Sequence, residues 1–263
     1  MKRETLMVSL VALSGALLAA APTDVYLLIG QSNMAGRGIL TASNRVDTAR
    51  VLKWNCWQQK GNGDAWVEAV EPIVKDRPFS GACLGASFAR TVADVDPKAV
   101  IGLIPAAEGN SALSRWMPEG NLYKRALRWS RAALAQGGTL KGILWHQGCA
   151  ESPVTATNYA ARLAVIVAAL RRDLKAPDVP FVAGELPPYL DELKKKDGKL
   201  VIPAWRTVNE QLAQAAKEIP NMKVVSSEGL VHKGDKLHFD TPSLRTLGLR
   251  YAEAMRELQG SKR

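Results

Sequence analysis

The chain is poor in the residues that build metal centres. It has three cysteines, Cys56, Cys83 and Cys149, with no CxxC pair or other zinc spacing. A P-loop, a dinucleotide-type GxGxxG after a strand and an HExxH helix are all missing, so nucleotide and zinc chemistries have no support, and neither metal nor organic cofactor is expected. Repeats, low-complexity tracts and a linker that would divide the chain are also missing. Acidic residues are in deficit, 25 against 35 Lys and Arg, a formal net charge of +10. Such a balance suits nucleic acid, an anionic surface or an acidic substrate. The basic residues are scattered, however, and the densest run is only Lys194-Lys195-Lys196. A solvated basic surface is therefore preferred, with no nucleic-acid partner. Histidine is scarce too: His146, His232 and His238 are the only three, so an imidazole base has three possible positions.

No apolar run is long enough for a comfortable membrane span. The run from Leu6 to Leu18 follows Lys2 and Arg3 and ends in Ala19-Ala20-Ala21, the plan of a secretory signal peptide. Glu4 dilutes the basic start, and a cut one residue before Ala21 would avoid placing Pro22 next to it. The expectation is a signal peptide over 1–21 and one domain over 22–263, secreted or periplasmic, with no membrane attachment after cleavage; an uncleaved anchor and a misread start are the alternatives. Export would permit one disulfide, Cys56 with Cys83, leaving Cys149 free. The other reading is three small buried thiols. Cys149 has His146 nearby but no orienting partner, which argues against a cysteine nucleophile.

With 47% hydrophobic and 23% charged residues, the chain reads as a soluble globular protein long enough for a sizeable core. Apolar runs at Val25–Ile29, Val51–Trp54, Val100–Ile104, Gly142–Trp145 and Val179–Ala183 read as strands, and Met222–Val225 as a short strand or extended segment. Between them lie helical periods: Leu84–Val95, Leu122–Ala135, Thr155–Leu174, Pro203–Ile219 and Ser243–Leu258. The alternation predicts an α/β fold, a three-layer α/β/α sandwich with a mostly parallel sheet of about five strands. The stretches Ala35–Ala49, Lys60–Gly81 and Pro187–Ile202 read as loops that shape a substrate site.

Open α/β sheets bind ligands beyond the carboxyl ends of their strands. Beyond the first strand stands Gly30-Gln31-Ser32-Asn33-Met34, with Ser32 in a glycine-flanked turn suited to a nucleophile. Beyond the third stands Gly109-Asn110-Ser111, where glycine admits a backbone N–H close to a ligand. Beyond the fourth stands His146-Gln147-Gly148, where Gln147 offers a side-chain amide. Near the C-terminus, Asp235 lies three residues before His238, so its carboxylate can sit behind the imidazole and leave Nε2 for a serine. Asp240 is the competing orienter.

The stretches Leu28–Gly38, Leu144–Gly148 and Asp235–Phe239 resemble the blocks of the SGNH-hydrolase superfamily, in particular its sialate O-acetylesterase-like branch with the acetylxylan esterases of carbohydrate esterase family 6. The resemblance implies an SGNH (flavodoxin-like) fold, with Ser32 as nucleophile and His238 and Asp235 completing the triad. It also implies an oxyanion hole from Ser32, Gly109 and Gln147. Asn110 replaces a common second glycine and offers a side-chain donor. Cys149-Ala150 separate Gly148 from Glu151-Ser152, so Glu151 receives no catalytic role, and Arg206 is left as structural or substrate-facing. The nucleophile block lacks the closing glycine of GxSxG, and the triad order also departs from the α/β-hydrolase elbow.

The expected function is a serine esterase removing O-acetyl groups from a carbohydrate such as acetylxylan or a sialate. The alternative is an inactive glycan-binding or anionic-polymer-binding protein of the same fold. Trp54, Trp57, Trp66 and Trp116 are candidates for stacking on sugar rings, with core packing as the competing role for at least half of them.

Overall fold

The first strand sets the layers. Along β1 (Asp24–Gly30), Val25, Leu27 and Ile29 enter one apolar cluster while Tyr26 and Leu28 enter another, because successive strand residues point to opposite faces. A strand apolar on both faces must be covered on both. The computed structural model describes residues 21–57, 64–193, 195–196, 199–200 and 204–260. The signal-peptide expectation, apart from Ala21, lies outside them, as do Lys194 and the proline at 203.

After β1 come a single helical turn α1 (Ser32–Ala35), β2 (Val51–Trp54), β3 (Trp66–Glu68), α2 (Leu84–Val95), β4 (Ile101–Pro105), α3 (Asn121–Ala135) and β5 (Thr139–His146). Then follow α4 (Pro153–Ala156), α5 (Tyr159–Asp173), β6 (Phe181–Gly184), the small hairpin β7 (Lys195–Lys196) and β8 (Lys199–Leu200), α6 (Trp205–Glu218), β9 (Met222–Val225) and α7 (Thr241–Gly260). Seven strands form one sheet in the order β3-β2-β4-β1-β5-β6-β9. All its pairings are parallel except β2 with β3. Helices α2 and α7 cover one face, and α3, α5 and α6 the other.

The α/β/α sandwich is therefore the observed architecture, with seven strands in place of about five. Strand β9 pairs with β6, and β3 lies inside the stretch read as loop. Three half-exposed to exposed residues carry too short an alternation to announce β3. The helix expected over Thr155–Leu174 is broken into α4 and α5. Asn158 leaves the helical region (φ −117°), yet Ala156 and Tyr159 on either side are both buried, so the apolar spacing runs on across the break. Among the described residues no helix is long and apolar enough to cross a membrane.

None of the three cysteines is joined in a disulfide. Cys83 belongs to the core under α2 and α7, whereas Cys56 packs against the core on the opposite face. The sheet separates them, so the Cys56–Cys83 disulfide does not form.

Helices α2 and α7 meet at a glycine. A Cβ on Gly248 would stand 2.0 Å from Ser87 Oγ and 2.4 Å from the Leu84 carbonyl oxygen. Overpacking of this kind costs about 1–3 kcal/mol. Gly248→Ala is expected to lower the urea midpoint accordingly; an unchanged midpoint would show that the two helices are not held this closely.

Candidate active site

Strands β4, β1 and β5 are adjacent and parallel, so the loops that leave them share one edge. Strands β2, β3 and β4 lie to one side of β1, and the chain then crosses to the other side for β5, β6 and β9. Ser32 follows β1 and so sits where the winding reverses, the place where open α/β sheets hold their ligands.

The turn needs a glycine at position 30. Gly30 has φ +131°, and a Cβ there would lie 2.2 Å from the His146 carbonyl oxygen. The Gly30 carbonyl accepts the N–H of Glu108, and the Gln31 N–H donates to His146. The Gly148 N–H donates to Gln31 Oε1 at 2.9 Å. The three strand ends are thus laced together by backbone and amide groups.

The loop before α7 brings the imidazole. Asp235 Oδ1 accepts the N–H groups of Leu237 and His238 at 3.0 and 2.8 Å, closing a tight turn with Lys236 left-handed at φ 59°. Asp235 Oδ2 lies 2.7 Å from His238 Nδ1, and His238 Nε2 lies 3.0 Å from Ser32 Oγ. Asn33 registers this loop on the serine turn: its Oδ1 accepts the Phe239 N–H at 3.2 Å and its Nδ2 donates to the Leu237 carbonyl at 3.3 Å. Asp240 is not the orienter. Its Oδ1 accepts the Ser243 N–H at 2.8 Å and caps α7. His146 and His232 do not reach the serine. His146 is fully buried edge-on to Phe239, and burial pushes it down to about 4. His232 Nδ1 accepts the Gly234 N–H.

Burial holds the His238 imidazole below its ordinary value, Asp235 opposes that shift, and the charges of Lys233 and Arg37 add to it. Burial pushes the Asp235 carboxyl up, but the hydrogen bonds from His238 and Leu237 outweigh it and hold the carboxyl low. At neutral pH the pair is a carboxylate behind a neutral imidazole, able to accept a proton at Nε2.

A pocket of about 430 Å³ opens over Ser32 and His238, with Arg37, Arg77, Phe79, Gly109 and Asn110 among its walls. Of the expected oxyanion donors, the Ser32 N–H has no hydrogen-bond partner among the described residues. The Asn110 carboxamide is likewise unengaged there, on an exposed residue in the left-handed region (φ 58°). Two expectations are corrected. The Gly109 N–H is taken by Asp76 Oδ2 at 2.7 Å. Gln147 is fully buried, its Nε2 donating to the Ser111 carbonyl and Glu151 Oε1 while its Oε1 accepts the Tyr159 hydroxyl. Its amide is consumed in holding the end of β5 to the following loops.

Glu151 belongs to that scaffold. It also accepts the Leu113 N–H at 2.7 Å and lies 3.6 Å from Arg162. Arg206 pairs with Asp191 and stacks on Trp205, away from the pocket walls. Of the four tryptophans, Trp54 and Trp116 are core residues, the role expected for at least half of them, and Trp57 and Trp66 are half-buried with their indole N–H groups on the Pro105 and Ala133 carbonyls. None lines the Ser32 pocket.

Sequence reasoning missed the pair that joins the loops. Arg37 and Asp76, both buried, meet in a bidentate contact at 3.0 and 2.7 Å. Asp76 also accepts the Ser80 hydroxyl. Burial raises the Asp76 carboxyl, and the Arg37 guanidinium, the Gly109 N–H and Ser80 more than compensate, leaving it lowered. A Cβ on Gly109 would lie 2.4 Å from Arg37 Nη2, so any larger residue there would have to displace the guanidinium from Asp76. Arg37 stands within the first sequence block, but Asp76 is 39 residues away in a loop without pattern.

A sequence model of a family described as "Carbohydrate esterase, sialic acid-specific acetylesterase" matches residues 22–257. The chain is 30% identical over 253 residues to a probable carbohydrate esterase of Arabidopsis thaliana, covering 89% of this chain and 90% of that protein. The X-ray structure of that plant protein superposes with a TM-score of 0.76 at 27% identity, over 90% of this chain and 98% of the other. The crystal structure of NanS superposes at 0.72 with 17% identity, over 92% and 99% of the two chains. That of a carbohydrate acetylesterase from Xanthomonas citri superposes at 0.66 with 19% identity, over 89% and 56%. These last two are likenesses of fold.

The His238 environment yields a titration with a defined sign. Its ring is expected to protonate with a midpoint below the ordinary 6.5, to be checked by following imidazole proton shifts against pH. Asp235→Asn removes the one charge that raises it, so the midpoint falls further. A rise in that variant would place the carboxylate elsewhere.

Proposed function

The chain belongs to the sialic acid-specific acetylesterase family of carbohydrate esterases and is a carboxylic ester hydrolase, and from that premise we propose that it removes O-acetyl groups from a carbohydrate through an acetyl-Ser32 intermediate. The observation that carries this reading is the hydrogen-bonded series Ser32 Oγ, His238 and Asp235 at 3.0 and 2.7 Å, facing an open pocket.

His238 Nε2 takes the Ser32 hydroxyl proton as Oγ attacks the acetyl carbonyl carbon. The negative charge that develops on the carbonyl oxygen is held by the Ser32 N–H and the Asn110 carboxamide. Collapse of the tetrahedral species passes the proton from His238 to the departing sugar oxygen and leaves acetyl-Ser32. A water then gives its proton to Nε2 and attacks the acyl carbon. Acetate leaves, and the proton returns to Ser32 Oγ. Asp235 keeps the Nδ1–H tautomer and faces the positive ring at each stage. The leader-like residues 1–21 support an exported, secreted or periplasmic setting for this activity.

Acetate release from a panel of acetylated glycans tests the reading. Ser32→Ala and His238→Ala are each expected to lower kcat by several orders of magnitude, and the double variant little further, because the two act as a unit. Turnover that survives Ser32→Ala would overturn the acyl-enzyme. Asn110→Ala is expected to lower kcat about a hundred-fold, with less effect on KM. A change within a few-fold would remove the carboxamide from the oxyanion site.

A further inference from the structure

One polar side chain beside the nucleophile has no part in the reaction just described. Gln31 directly precedes Ser32, lines the Ser32 pocket and is only 3% exposed. Its backbone N–H donates to the His146 carbonyl at 2.8 Å, and its own carbonyl accepts the N–H groups of Met34 and Ala35 at 3.0 and 2.9 Å. Its side-chain Oε1 accepts the Gly148 N–H at 2.9 Å. A backbone N–H can only donate, so this contact fixes which arm of the carboxamide is oxygen. Nε2 is the other arm, and it meets no acceptor among the described residues. Buried side-chain donors are normally paired, so one left open in a pocket wall is available to a ligand.

The amide is held firmly, and on a defined side of the serine. Gly148 has φ +143°, and a Cβ there would lie 2.7 Å from Val208 Cγ1 and 2.9 Å from Leu186 Cδ1. The residue that anchors Oε1 is therefore itself confined. Gly148 follows β5 and Asn110 follows β4, the two strands that flank β1. The two carboxamides thus stand on opposite sides of the Ser32 turn. On the β5 side the donor first expected was the Gln147 amide, which is spent on Ser111 and Glu151. Gln31 offers an amide donor on that same side. A donor fixed before the substrate arrives needs no reorganisation as charge develops.

We infer that Gln31 is a further catalytic residue, whose Nε2–H donates to the oxyanion from the side opposite Asn110. As Ser32 Oγ bonds to the acetyl carbon, the carbonyl π pair moves onto oxygen. That oxygen then meets the Ser32 N–H, the Asn110 carboxamide and the Gln31 amide. The inference rests on the serine-esterase reading of the same site.

The test measures para-nitrophenyl acetate hydrolysis and inhibition by methylboronic acid, which adds to a serine hydroxyl as a charged tetrahedral adduct shaped like the intermediate. Gln31→Glu keeps an oxygen for the Gly148 N–H and removes the donor. Gln31→Met removes both without adding charge. Each is expected to lower kcat/KM about a hundred-fold and to weaken methylboronic acid by a similar factor, with the urea midpoint of Gln31→Glu close to wild type. Lower kcat/KM with methylboronic acid binding as in wild type would overturn the inference, because the amide would then serve the shape of the turn and not the oxyanion. Activity within a few-fold of wild type in either folded variant, with turnover still dependent on Ser32, would overturn it and leave the esterase reading intact. Wild-type turnover that survives Ser32→Ala would remove the reading of the site and the inference together.

Discussion

One buried carboxylate holds the mouth of this molecule together. Asp76 accepts two guanidinium donors from Arg37, the Gly109 N–H and the Ser80 hydroxyl. These donors come from three separate stretches: the loop beyond the nucleophile turn, the loop after β4 and the lip of the pocket. A buried ion pair costs heavily to desolvate and adds little net stability. Removing one partner is another matter, since it strands a buried charge at a cost of about 3–5 kcal/mol. The pair therefore holds the three stretches in one register, and Asn110 and Arg77 inherit their positions from it.

A second registration joins the two ends of the chain. Ser32 and His238 are 206 residues apart in sequence, yet a proton can pass between them only within a few tenths of an ångström of hydrogen-bond distance. The residue next to the serine does the aligning. Asn33 uses both ends of its carboxamide on the backbone flanking His238. Gly30 serves the same end from below, because its missing Cβ lets β1 and β5 close to backbone contact where the turn begins.

Scaffold and donors divide by engagement. Gln147, Glu151 and Tyr159 form a satisfied network beneath the site, and the low dielectric there makes each unmade bond expensive. A side chain so engaged has no donor left for a developing charge. Asn110 is unengaged at the surface of the pocket and the Gln31 carboxamide is held by its oxygen alone, and such groups can meet a substrate. Burial also sets the base: it holds His238 neutral, while Asp235, tied into its own turn, keeps the ring oriented.

Several features were legible in the sequence because they depend on local order. The apolar runs that became β1, β2, β4, β5 and β6, the helical spacings, and the glycine-flanked Ser32 all follow from side-chain periodicity and backbone sterics. The Asp235-to-His238 spacing belongs with them, since three residues close a turn whose geometry is its own. The short β3 and the break between α4 and α5 were not legible, because neither changes the apolar pattern enough to be seen. The choice among donors was decided only in three dimensions. Gly109 and Gln147 are the right residue types at the right strand ends, but whether an N–H is free depends on what packs against it. Here Asp76 and Glu151, distant in sequence from the groups they engage or turned toward them by the fold, took those donors. Residue type and spacing determine which groups can act; tertiary packing, by satisfying some and leaving others open, decides which of them face a ligand.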